Sequence, residues 1–164
     1  MSTVIYIIDG YNLIHKHSQL APLIDTNLEK ARYGLIRFLQ HHFIKKNMKI
    51  KIFFDGQPDI TTHQKKFGAI SIYFSKYPTE ADHLICDEIR KLKDKKHTIV
   101  VSSDIKDIYN VAKAHAVRRI TSDEFLYDIY SRQSRKASLK PIDDKLSASE
   151  VDDWMNYFGV DEKS

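Results

Sequence analysis

The feature that most limits the fold is the alternation of short apolar runs with helical patterns. Runs rich in Ile, Val and aromatics occupy Val4–Ile8, Ile50–Phe54, Ala69–Phe74, Thr98–Ser102 and Val117–Ile120. The first, second and fourth are nearly continuous, as expected of strands covered on both faces. Between them residues recur at helical spacing: Leu28, Ala31, Leu35, Phe38, Leu39 and His42, then Ala81, Leu84, Ile85, Ile89 and Leu92, then Ile105, Ile108, Val111 and Ala112. Asp25, Thr26 or Asn27 supplies a start for the first helix. Thr79, with Asp82 three residues on, reads as a capping box for the second. Ser122 reads as the cap of a fourth, with Phe125, Leu126 and Ile129 inward. Ser147 or Ser149 opens a last helix, which docks through Val151, Trp154, Met155 and Phe158. This order predicts an α/β fold with a Rossmann-like, mostly parallel sheet and helices on both faces.

The chain has 164 residues, enough for one domain with a sizeable core. Its single cysteine, Cys86, excludes an internal disulfide and fits a reducing compartment. No apolar stretch approaches the ~20 residues that cross a bilayer, and the N-terminus lacks a signal-peptide pattern. A cytoplasmic protein with no membrane partner is the expectation. The net charge of +4 permits a polyanionic partner without demanding one. The segment 131–140, "SRQSRKASLK", has four basic residues and no acid, and Pro141 follows. It is predicted to be an irregular linker.

In open α/β sheets the ligand lies beyond the carboxyl ends of the strands. Asp9 follows the first strand and Asp55 the second. Glu80 and Asp82 follow the third, and Ser102, Ser103 and Asp104 the fourth. Each acid alone could be a turn former or a helix cap. Together on one edge they repel one another, and a hard divalent cation relieves that repulsion. Mg²⁺ or Mn²⁺ held by carboxylates at such a site suits phosphate chemistry.

Four blocks carry a family resemblance: "IIDGYNLI" at 7–14, "IFFDG" at 52–56, "TEADHLI" at 79–85 and "VVSSDIKDIYNVAKAHAV" at 100–117. They resemble the YacP-like branch of the NYN domain family, which is similar to PIN domains. The resemblance covers roughly residues 4–130. It implies a PIN-like nuclease domain over 1–130, with 131–164 as a basic linker and a C-terminal helix packed on it. It further implies a metal-dependent endoribonuclease that hydrolyses RNA with Mg²⁺ or Mn²⁺. Asp9, Asp82 and Asp104 are then the metal-binding acids, and Asn12 is the polar partner. Ser103, Glu80, Asp55 and Asp107 are supporting candidates, and one ion or two are both open. Relatives in this branch include an endoribonuclease acting on messenger RNA at the ribosome, so RNA, specifically mRNA, and the ribosome are the expected partners of a monomer or weak dimer.

Phosphate contacts are expected from Lys and Arg. Arg132, Arg135, Lys136 and Lys140 form the most concentrated group. Tyr11 is the first choice for stacking an unpaired base, with Tyr73 and Tyr77 behind it. His15 and His17 form a His-x-His pair with no third ligand nearby, a poor zinc site. Two rival readings share the fold: a non-catalytic RNA-binding module, and a receiver domain built on Asp9, Asp55 and Lys106.

Overall fold

The computed structural model describes residues 2–56 and 65–139. Lys140 and the final-helix residues Trp154, Met155 and Phe158 lie outside the described residues. The elements run β1 (Val4–Asp9), α1 (Gly10–Lys16), a 3₁₀ turn (Ala21–Leu23), α2 (Leu28–His42), β2 (Met48–Phe54), β3 (Lys65–Phe67), β4 (Ile70–Phe74), α3 (Ala81–Arg90), β5 (Thr98–Val101), α4 (Asp107–Ala114), β6 (Arg118–Ile120) and α5 (Ser122–Leu139). Among the described residues, six strands form one sheet in the order β3-β4-β2-β1-β5-β6. Every pairing is parallel except β3 with β4. The α/β expectation holds.

The side-chain period of two sorts β1 between two cores. Ile8 packs with Leu13, Leu35 and Phe125, so α1, α2 and α5 cover one face. Ile7 packs with Ala81, Ile85 and Ile108, so α3 and α4 cover the other. Cys86 lies in this second core, as its helical neighbourhood predicts. The same parity carries past the strand ends. Asp9 continues the side of Ile5 and Ile7, and Asp55 continues that of Phe53. Ser102 continues that of Val100. All three side chains therefore arrive at the α3–α4 face of one sheet edge.

Two helix starts differ from the sequence reading. The α3 helix begins at Ala81, and Thr79 does not cap it. Asp55 reaches across from β2 instead, and its Oδ1 accepts the Ala81 N–H at 2.7 Å. A long-range cap of this kind leaves no local pattern. The α5 helix is capped by Thr121 rather than Ser122. The Thr121 hydroxyl accepts from Glu124 N–H, and the Glu124 carboxylate accepts from Thr121 N–H, each at 3.1 Å. This reciprocal pair is a capping box one residue earlier than expected. At α2 the open choice resolves to Asn27, which accepts the Lys30 N–H.

The irregular linker expected over 131–140 is overturned over 131–139, because α5 continues unbroken to Leu139. Its Arg, Lys, Gln and Ala residues are good helix formers, and Pro141 stands beyond them.

Gly10 marks a close approach. A Cβ at this position would lie 2.3 Å from the Phe54 ring. Phe54 is fully buried and cannot retreat. The glycine thus lets α1 start directly at the tip of β1, against a ring from β2. We expect Gly10→Ala to destabilise the fold by about 1–3 kcal/mol in urea unfolding. An unchanged midpoint would contradict this packing.

Candidate active site

The chain leaves β1 toward β2 and β4 on one side, then returns to β5 on the other. The crevice at this reversal lies beside the tip of β1, where a ligand site is expected. Asp9 stands there. Its Oδ2 accepts from the Ser102 hydroxyl at 3.1 Å, and the Ser102 Oγ in turn accepts the Asp104 N–H at 3.1 Å. One buried serine thus couples the first acid to the loop carrying the third.

Burial pushes the Asp9 carboxyl up to about 6, and the neighbouring charges of Asp55 and Asp104 add to the rise. The Ser102 hydroxyl and the nearby Asn12 N–H act against it. Asp9 is therefore a carboxylate whose charge lacks a counter-ion within the protein's own hydrogen bonds.

The other acids gather beside it. One ligand oxygen each from Asp82, Asp104 and Asp107 lies within 4.8 Å of the others. Glu80, Asp82 and His83 form a second such group. The set expected from sequence, Asp9 with Asp82 and Asp104, is thus brought together only in part. Asp107, read as a supporting acid, joins the trio, and Asp9 stands outside it on the sheet side. The reason is local: Asp104 Oδ1 accepts from Lys106 N–H at 2.7 Å and Asp107 N–H at 3.1 Å, a turn that folds Asp107 back toward Asp104. An all-oxygen trio suits a hard divalent cation. The exposed Glu80 and His83 make the second group a mixed and looser one.

Asn12 and Ser103 also meet here. Asn12 Oδ1 accepts the Ser103 N–H at 2.9 Å and the Ser122 hydroxyl at 2.6 Å. Sequence reading placed Ser102 at this edge without a role and missed Ser122 as a site residue. The position of Ser102 is legible from strand parity. Ser122 is 110 residues from Asn12 and carries no local signal. Asp55 caps α3, and its charge adds to the rise of the Asp9 pKa.

Two expectations about binding residues change. Tyr11 packs its ring on Phe54 and accepts a hydrogen bond from Arg32 at 2.9 Å, so its aromatic face belongs to the core. Arg132, Arg135 and Lys136 are helical and lie at the opposite sheet edge. Arg132 adjoins Tyr6, Ile99 and Arg118, near the strand starts. All three line a cavity of about 180 Å³ with Phe43 and Lys45. At 1.5 Å per residue they stand roughly 15–20 Å along α5 from Ser122. His17 is a buried acceptor for Leu20 N–H, with Tyr130 at its other nitrogen, and burial lowers its pKa. Both of its ring nitrogens are engaged within the protein.

A profile of the YacP-like NYN domain matches residues 6–158. The chain belongs to the YacP-like NYN domain family. The match extends beyond the residues 4–130 of the sequence resemblance and includes the C-terminal part. This is a nuclease family with an RNA-related function, generally dependent on divalent metal, and the acidic trio is able to hold such an ion. Two crystal structures of Rae1 (YacP) from Bacillus subtilis share the fold. One, of a point mutant, superposes with a TM-score of 0.68 at 21% identity, covering 90% of this chain and 89% of that one. The other gives 0.62 at 21% identity, with 94% of each chain covered. No curated protein matches significantly. The YacP-like NYN assignment displaces the receiver reading, and Asp55 serves as a helix cap. Among the described residues no helix is long and apolar enough to cross a membrane.

The raised Asp9 pKa has a signed consequence. Between about 4 and about 6 the folded protein keeps a proton that the unfolded chain releases, so stability falls as pH rises through that window. A shift of this size corresponds to on the order of 2–3 kcal/mol. In metal-free buffer Asp9→Asn should flatten the slope, with its largest gain over wild type at pH 7 and little at pH 4. Parallel pH–stability curves for the two proteins would contradict the assignment.

Proposed function

We propose that the protein is a metal-dependent endoribonuclease that hydrolyses phosphodiester bonds of unpaired RNA. The observation that carries this reading is the convergence of Asp82, Asp104 and Asp107 within 4.8 Å at the sheet edge that also bears the half-buried Asp9. Those three acids would hold Mg²⁺ or Mn²⁺, with Asp9 facing the same ion or a second one from the sheet side. The bound cation supplies a Lewis acid for a phosphate oxygen and an activated water. The chain's own residues do the rest. Ser102 keeps the Asp9 carboxylate oriented, and Asn12 offers a neutral donor among the acids. Water attacks phosphorus, the bond to the leaving ribose oxygen breaks, and a proton passes to that oxygen.

Support for an unpaired substrate comes from the rim. Tyr77 is 82% exposed in the loop before α3, and Ile105 is 77% exposed beside Asp104. Large apolar side chains at such exposure, flanking the acids, offer faces for splayed bases. Tyr77 thus takes the stacking role expected of Tyr11. Arg132, Arg135 and Lys136 act on this reading as a remote anchor for RNA phosphates. Messenger RNA on the ribosome, in the cytoplasm, is the specific target that the family resemblance favours.

Cleavage of a single-stranded oligoribonucleotide should require Mg²⁺ or Mn²⁺ and stop with EDTA. Asp82→Asn and Asp104→Asn should each lower kcat by roughly 100-fold or more. Tyr77→Ala should raise KM several-fold, in line with about 1–3 kcal/mol for one stacked base. Binding without cleavage under both metals would favour a non-catalytic RNA-binding module. Cleavage that survives both Asp→Asn changes would remove the trio from the mechanism.

A further inference from the structure

Asn12 lies in the first turn of α1, yet its side chain joins two distant segments. Its Oδ1 accepts from the Ser103 N–H at 2.9 Å and from the Ser122 hydroxyl at 2.6 Å. The Ser122 N–H in turn donates to Ser103 Oγ at 3.2 Å. Ser122 is fully buried, so solvent does not compete for its hydroxyl.

These contacts determine which way the amide faces. A backbone N–H can only donate. The atom of Asn12 that meets Ser103 is therefore the oxygen, because the flipped amide would set N–H against N–H. With two donors on its oxygen, the amide has one orientation. Its Nδ2 group is turned away from Ser103 and Ser122. No hydrogen bond from Nδ2 is found among the described residues.

The location gives that group a use. Asn12 is less than one turn from Asp9, and Ser103 lies between Ser102, which holds Asp9, and Asp104. A donor here would meet a phosphate oxygen as its charge grows in the transition state. A neutral amide does so without competing with a cation for the carboxylates.

We propose that Ser122 is a positioning residue: its hydroxyl, together with the Ser103 N–H, locks the Asn12 amide so that Nδ2 donates to a non-bridging oxygen of the scissile phosphate. This rests on the nuclease reading above. It adds a residue at the start of α5, far from the acid motifs, to the machinery of the site.

The test is a double-mutant cycle in cleavage of a short single-stranded RNA with Mn²⁺. Wild type, Asn12→Ala, Ser122→Ala and the double variant are compared. Ser122→Ala should lower kcat roughly tenfold or more, with Mn²⁺ affinity unchanged. In the Asn12→Ala background it should add nothing. Equal losses in both backgrounds, or an unchanged kcat, would overturn the proposal.

A second measurement needs neither a variant nor turnover. The Asn12 side-chain amide resonances of ¹⁵N-labelled wild type are followed as a phosphorothioate-linked oligoribonucleotide is added with Mg²⁺. They should shift at saturation, and resonances that stay in place would overturn the proposal. If the wild type cleaves no RNA, the nuclease reading fails by that result, and the amide shift alone decides the role of Asn12.

Discussion

The structure turns on a carboxylate at the tip of its central strand. Asp9 ends β1, between β2 and β5, where burial works against its charge. A lone buried charge is costly, and here the nearest groups include further acids. The Ser102 hydroxyl and the start of α1 offset only part of that cost. A fold that sought stability alone would place an apolar residue at this position. The arrangement makes physical sense as half of an interaction whose other half is a cation.

The rest of the site follows from strand parity. Ile5, Ile7 and Asp9 share one side of β1, and Phe53 with Asp55 share the matching side of β2. Val100 and Ser102 do the same on β5. On this side the first turns of α3 and α4 bring Asp82 and Asp107, and the loop between β5 and α4 brings Asp104. Asp55 then fastens α3 to β2 by capping Ala81. The acids converge because the pleat, the crossovers and one long-range cap all direct them to the same place.

That logic explains what was legible in the sequence. Strands β1, β2, β4, β5 and β6 were visible as apolar runs, and the parallel order followed from the helices between them. The acids were legible as residues that close strands. Most of what failed depends on a partner far along the chain. Thr79 and Asp82 look like a capping box, but Asp55 holds the helix start. Tyr11 sits in a conspicuous motif, yet Arg32 and Phe54 engage it. Ser122 resembles an ordinary cap, and only the fold shows it on Asn12. The segment 131–139 looked irregular because charge and serine dominated its composition, although its helix formers continue α5. Asp107, a candidate by its spacing one turn beyond Asp104, joins the trio through the turn at Asp104.

The central claim is that these carboxylates form a divalent-cation centre. An anomalous-difference map from a crystal soaked in Mn²⁺ tests it most directly. The account predicts a peak bounded by the carboxylates of Asp82, Asp104 and Asp107 on the side facing Asp9. An empty map at that place in a crystal that takes up Mn²⁺ elsewhere, such as at Glu80 and His83, would contradict it.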